Sequence, residues 1–140
     1  MEQQQERIES IKAGLVGAIA FSGAVSSIWA MKGFFGQFPP ISTSIVLYGS
    51  IEGAIALATG LLFGVTYRYI IRADENSHLR EGAVFAFALV RTGTLIEQQA
   101  QETLNLIPWV IFGLESLFCF FIARLALDIA IKKQWVKPLQ

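Results

Sequence analysis

The chain has 140 residues, 54% of them hydrophobic and 16% charged, with eleven Lys and Arg balanced by eleven Asp and Glu. That is more apolar than a water-soluble domain, and the length allows a single domain. Without a basic patch interleaved with aromatics the chain is not expected to bind nucleic acid. Its lone cysteine, Cys119, excludes an intramolecular disulfide and argues against a cysteine metal site.

The opening, Met1 to Arg7, lacks the basic start of a signal peptide, so the first apolar segment reads as an uncleaved anchor. That segment, 13–31, carries no charge between Lys12 and Lys32. Small residues recur in it every fourth position, at Gly14, Ala18, Ser22, Ser26 and Ala30. Such a step keeps them near one helix face, where a second backbone can approach closely. The connection that follows holds Phe34, Phe35 and Phe38, aromatics suited to a membrane interface, and Pro39-Pro40, which stops the helix.

The second segment, 45–67, holds two G-x-x-x-G spacings, Gly49 with Gly53 and Gly60 with Gly64, each expected to permit tight helix contact. An inner turn follows, with Arg72, Asp74, Glu75, Asn76 and the only histidine, His78. Asn76 or Ser77 is placed to cap the next helix. His78 reads as a solvated interfacial side chain, since one histidine does not make a metal or pigment site.

The third segment, 79–96, is the least apolar. Fifteen residues separate Glu81 from Glu97, and Arg91 interrupts them. The fourth, 109–131, opens after Pro108 and ends at Lys132 and Lys133. Val16, Ala18, Ala20 and Pro40 match Val84, Ala86, Ala88 and Pro108 at one offset, the weak trace of a tandem pair of hairpins.

Basic residues alternate along this order. The N-terminal tail holds Arg7 and Lys12, the middle connection Arg68, Arg72 and Arg80, and the C-terminal tail Lys132, Lys133 and Lys137. The other two connections share only Lys32. By the positive-inside rule the chain is expected to be an all-α integral membrane four-helix bundle, with both termini on the cytoplasmic or stromal side.

Three ionisable residues fall inside apolar sequence: Glu52, Arg91 and Glu115. An unpaired charge at a helix centre costs about 2.5–3.5 kcal/mol. At about 1.5 Å per residue, Glu52 and Glu115 lie roughly 10 Å and 9 Å below the outer helix ends, and Arg91 about 12 Å below the outer side of a core about 30 Å thick. The shared level predicts Arg91 between the two carboxylates, as a buried ion pair or, alternatively, as a relay. Arg124 and Asp128 are spaced to pair at i,i+4.

The stretch Tyr67-Arg68-Tyr69-Ile70-Ile71-Arg72-Ala73-Asp74-Glu75-Asn76, followed by Leu79 and Gly82 to Arg91, resembles a segment of small multi-helix membrane proteins of cyanobacteria and chloroplasts. The resemblance covers about a fifth of the chain. It implies a thylakoid or bacterial inner membrane, with residues 68–81 facing the stroma or cytoplasm, and it supplies no catalytic residue. The E-x-x-N-x-R pattern of chlorophyll-binding helices is absent, which counts against pigment carriage.

No P-loop, dinucleotide fingerprint, zinc spacing or nucleophile elbow is present. The residues specify no cofactor. The expectation is a non-enzymatic accessory subunit or assembly factor whose partners are the bilayer and other membrane proteins or a second copy. A small oligomeric transporter lined by Glu52, Arg91 and Glu115 is the alternative. A membrane enzyme using Asp74, Glu75 or His78 ranks last. In a Cys119→Ala background, single cysteines introduced at positions 36 and 76 are expected to react with an impermeant maleimide from opposite sides of a sealed vesicle. Labelling of both from one side would remove the four-crossing topology.

Overall fold

The computed structural model describes residues 2–36, 43–71, 77–99 and 106–138. They form four helices: α1 (Glu2–Phe34), α2 (Thr43–Ile70), α3 (Ser77–Gln99) and α4 (Leu106–Lys132). Phe38, Pro39 and Pro40, and Arg72, Asp74, Glu75 and Asn76 of the inner turn, lie outside the described residues.

Each helix covers its expected segment and overruns it. α1 starts eleven residues before Ala13 because residues 2–12 are dominated by Gln, Glu, Arg and Lys, which lose little rotamer freedom in a helix. α4 starts at Leu106, with Pro108 in the first turn, where its missing N–H has no intrahelical acceptor to lose. α1, α2 and α4 are each long and apolar enough to cross a membrane. α3 is a continuous helix of 23 residues but is not one of those three, since Arg80, Glu81, Arg91 and Glu97 lower its apolarity. The expectation of a lipid-spanning third segment therefore rests on topology and not on composition.

That topology follows from pairings. α1 and α2 run antiparallel, with Ser10 against Arg68, Gly17 against Gly60 and Trp29 against Gly49. α3 and α4 do the same, with Arg80 against Asp128 and Thr92 against Gly113. The backbone N–H of Lys137 donates to Glu9 at 3.0 Å, so the start of α1 and the tail after α4 lie at the same end of the bundle. α3 consequently runs from that end to the other. α1 packs against α2 and α4, α3 against α4, and α2 meets α3 and α4 only lightly.

The tightest contact is between α1 and α2. A Cβ on Gly60 would stand 2.6 Å from the Gly17 carbonyl oxygen and 2.8 Å from the Phe21 Cβ. A Cβ on Gly17 would strike the Gly60 carbonyl, and one on Gly64 the Ala13 carbonyl. Backbone therefore lies on backbone, and close dispersion contacts hold the two helices together. Gly14 and Ala18 sit in this contact as expected from their spacing, but Gly17, which lies off the four-residue series, is at its centre. Ser22 is half-buried, its Oγ enclosed without a hydrogen-bond partner, and Ser26 is exposed. Gly49 and Gly53 differ from Gly60 and Gly64. Gly49 meets only the Trp29 ring, at 3.8 Å, and Gly53 faces open space. The bulky indole keeps α1 from closing on α2 at that level, so the expected packing of Gly53 and Ser26 does not occur among the described residues.

Above the close contact each helix contributes one phenylalanine to a central layer: Phe21, Phe63, Phe87 and Phe120. Ring centroids are 4.6 Å apart for Phe21–Phe120, 5.1 Å for Phe63–Phe120, 5.3 Å for Phe63–Phe87 and 5.7 Å for Phe87–Phe120, tilted or edge-on as the ring quadrupoles favour. Outside this core the surface is lined by Leu, Ile and Val, with Ile19, Leu89 and Val90 each about 70% exposed.

Gly64→Ala is expected to destabilise the bundle by about 1–3 kcal/mol through overpacking. Gly53→Ala, whose Cβ meets nothing, is expected to be neutral or slightly stabilising. Unfolding of both variants in mixed micelles, followed by circular dichroism, checks the contrast.

Candidate functional site

The charges expected to share one site are distributed over three. Glu115 pairs with Lys32, its oxygens 2.8 and 2.9 Å from Nζ, and not with Arg91. α1 lies directly beside α4, and the long Lys32 stem reaches inward from the last turn of α1. Lys32 also lies 5.8 Å from the Phe112 ring centroid. The one basic residue expected at the outer end is thus neutralised locally. Arg91 is on the same level, since its neighbour Thr92 abuts Gly113, but its guanidinium is turned onto the Phe21 ring, 5.2 Å from the centroid. The ring face supplies the attraction a carboxylate would have given. Glu52 has no ion pair among the described residues and stands half-exposed on the outer half of α2. The predicted arrangement of Arg91 between Glu52 and Glu115 is therefore replaced by a Lys32–Glu115 pair, a cation–π contact and a Glu52 carboxyl group with no ion pair among the described residues.

The most enclosed charge is one the sequence marked only for topology. Arg68 is 1% exposed, and its guanidinium ties three chain segments together. Nε donates to the Lys137 carbonyl at 2.9 Å. Nη1 donates to the Ser10 hydroxyl at 2.6 Å and to the Glu6 carbonyl at 3.1 Å, and Nη2 to the Glu6 carboxylate at 3.0 Å. Only a planar fork with several donors meets acceptors in such different directions. Arg68 is buried because it follows Gly60 and Gly64 at steps of four, so the face that packs against α1 carries it inward. Ser10 precedes Gly14 by the same step. That extension of the glycine stripe was the available signal.

The tail reaches Arg68 through a helix stop. Trp135 N–H bonds to the Ala130 carbonyl at 3.0 Å and Gln134 N–H to the Ile131 carbonyl at 3.0 Å, with Gln134 at φ 59°. This is a Schellman ending with glutamine where glycine is usual. It turns Val136, 1% exposed, back into the core. Next to it, Glu9 accepts from Lys12 at 2.9 Å and from the Lys137 N–H. These two bonds, in that order, hold its carboxyl below the ordinary carboxylate value.

A third group surrounds Asp128. The Tyr67 hydroxyl donates to Oδ1 at 2.8 Å, Arg80 Nη1 lies 3.6 Å from Oδ1, and Arg124 Nε lies 3.7 Å from Oδ2. The expected Arg124–Asp128 spacing is realised, but the carboxylate is shared with a second guanidinium from α3. Of the inner turn, only His78 falls among the described residues, and it is exposed on the first turn of α3. Among the described residues no three His, Cys, Asp or Glu side chains converge as metal ligands. No family model, curated protein or solved structure matches the chain.

Arg68→Met is expected to cost about 1–3 kcal/mol, because it takes the donor from the Lys137 carbonyl and the ion pair from the Glu6 carboxylate. Arg68→Lys should recover only part of that, since one ammonium cannot span the same acceptors. Amide hydrogen exchange at Val136 and Lys137, read with global unfolding, checks both. Unchanged protection of the tail would show that Arg68 does not hold it.

Proposed function

We propose that this chain is a non-enzymatic integral membrane protein, an accessory subunit or assembly factor that packs against another membrane protein through the outer half of α2. The observation that carries the reading is one face of the outer half of that helix that the other described residues leave uncovered. Val46, Leu47, Tyr48, Ile51 and Ile55 are all about half exposed or more, and among the described residues a Cβ on Gly53 would meet nothing within 4 Å and Glu52 has no ion pair. A glycine open on an apolar face lets a second helix approach closely, and a carboxyl group beside it gives that helix a polar partner to find.

The membrane placement draws on the three long apolar helices and on the aliphatic surface they present. A cytoplasmic or stromal position for the two ends draws on the charge distribution. Arg7, Lys12, Arg68, Arg80, Lys132, Lys133 and Lys137 gather at the end where α1 begins and α4 stops. A thylakoid or bacterial inner membrane follows from the segment resemblance. A transport path through one copy is disfavoured, because the four-phenylalanine layer fills the bundle centre.

Gly53→Leu, and separately Glu52→Gln, are expected to abolish recovery of a larger complex or oligomer in mild detergent, by at least about tenfold, while leaving the melting profile of the chain unchanged. Site-specific photocrosslinking from position 53 identifies what is lost. A wild-type chain that is strictly monomeric and gives no crosslink from this position would end the reading.

A further inference from the structure

We infer that the partner of the outer half of α2 is a second copy of this chain, held by two reciprocal ion pairs between Glu52 of one copy and Arg91 of the other. The inference deepens the partner-binding reading proposed above and rests on it. One copy leaves two opposite charges unmatched. Among the described residues Glu52 makes no ion pair, and the Arg91 guanidinium has only the Phe21 ring, 5.2 Å from its centroid. None of the Arg91 nitrogens is enclosed, in contrast to Nε of Arg80 and of Arg124, so its donors stand open to an acceptor from outside. The outer connections 37–42 and 100–105 contain no Lys or Arg, and Lys32 is committed to Glu115. Arg91 is thus the one cation left for Glu52 on the outer half of the bundle. In the same copy it leans over α1 and stays apart from Glu52.

Position makes the two charges complementary across a two-fold axis. Phe63 of α2 and Phe87 of α3 face each other, with centroids 5.3 Å apart. Glu52 lies eleven residues before Phe63 and Arg91 four after Phe87, spacings close to whole helical turns. Both charges therefore stand on the same side of their helices as those rings, along the seam where α2 and α3 meet only lightly. Ile51 and Ile55 border Glu52, and Val90 borders Arg91. They are 49%, 51% and 70% exposed, so each charge has open apolar surface beside it. By residue count the two charges lie within about 2 Å of one depth. An axis along the membrane normal preserves depth, and an isologous contact sets each residue of a patch against its counterpart on the other copy. Glu52 then meets Arg91 twice, and no charge is left over. A different partner would have to bring both an acid and a base at that depth. Gly53, open beside Glu52, lets the second copy come close.

The test uses the full chain carrying either of two affinity tags, co-expressed and extracted in mild detergent. Wild-type copies bearing different tags are expected to be recovered together. Glu52→Arg sets Arg against Arg at both contacts, and Arg91→Glu sets Glu against Glu, so each variant should lose self-association by at least about tenfold. Mixing the two variants makes both contacts opposite in charge again and should restore co-recovery to the wild-type level. Undiminished self-association in the variants would overturn the pairing. So would loss without recovery on mixing, since a pair formed inside one chain stays mismatched however the chains are mixed. A disulfide test keeps the native charges and stays decisive if the charge variants do not fold. In a Cys119→Ala background, Ile55→Cys in one chain and Val90→Cys in the other should cross-link on oxidation with copper phenanthroline, and absence of that product overturns the contact. Photocrosslinking from position 53 separates the dimer from the broader partner reading. Adducts to a different protein, from a chain that never recovers its own second copy, overturn the dimer alone, and no adduct at all ends both.

Discussion

The contact of α1 with α2, backbone against backbone, is the constraint on which the remaining structure depends. Gly17, Gly60 and Gly64 have no side chains, so two helices come close enough for carbonyl oxygens to lie where a Cβ would otherwise be. On the membrane placement proposed above, burying Leu or Ile gains little, because lipid chains solvate them equally well. Surface complementarity then decides which helices associate. The buried positions are mostly alanine, glycine and phenylalanine, with Ile71, Val84, Leu127 and Val136 among the exceptions, and the exposed large hydrophobic ones are mostly branched aliphatics.

From that contact two layers follow. Toward the middle of the bundle, fixing α1 on α2 places Phe21 and Phe63 where both meet Phe120 of α4, and α3 adds Phe87. Toward the basic end, the same register brings Ser10 and Glu6 to Arg68. There the guanidinium replaces its hydration with acceptors from α1 and the C-terminal tail. The node therefore couples the first and last segments of the chain, and it does so with hydrogen bonds that water would otherwise satisfy.

The ionisable residues within the bundle illustrate three ways to keep a charge in apolar surroundings. Glu115 takes a flexible lysine from a neighbouring helix. Arg91 takes an aromatic face. Arg80 and Arg124 share one aspartate and keep unpaired donors. Only Glu52 has none of these among the described residues, and it stands half-exposed on a helix face that those residues leave open.

Helix number, helix positions and the alternation of basic ends were legible in the sequence, because they depend on runs of apolar residues and on where Lys and Arg interrupt them. The Gly60–Gly64 contact was legible too, since a four-residue step is local. Which glycine pair is used was not. Gly49 and Gly53 have the same spacing as Gly60 and Gly64 and differ only in facing Trp29 and open space, a property of the opposite helix. Ion pairing was decided by tertiary structure for the same reason. Depth along a helix can be counted from residue number, whereas the azimuth at which Arg91 meets Phe21, or Lys32 meets Glu115, is set by how the helices rotate to bring small residues together.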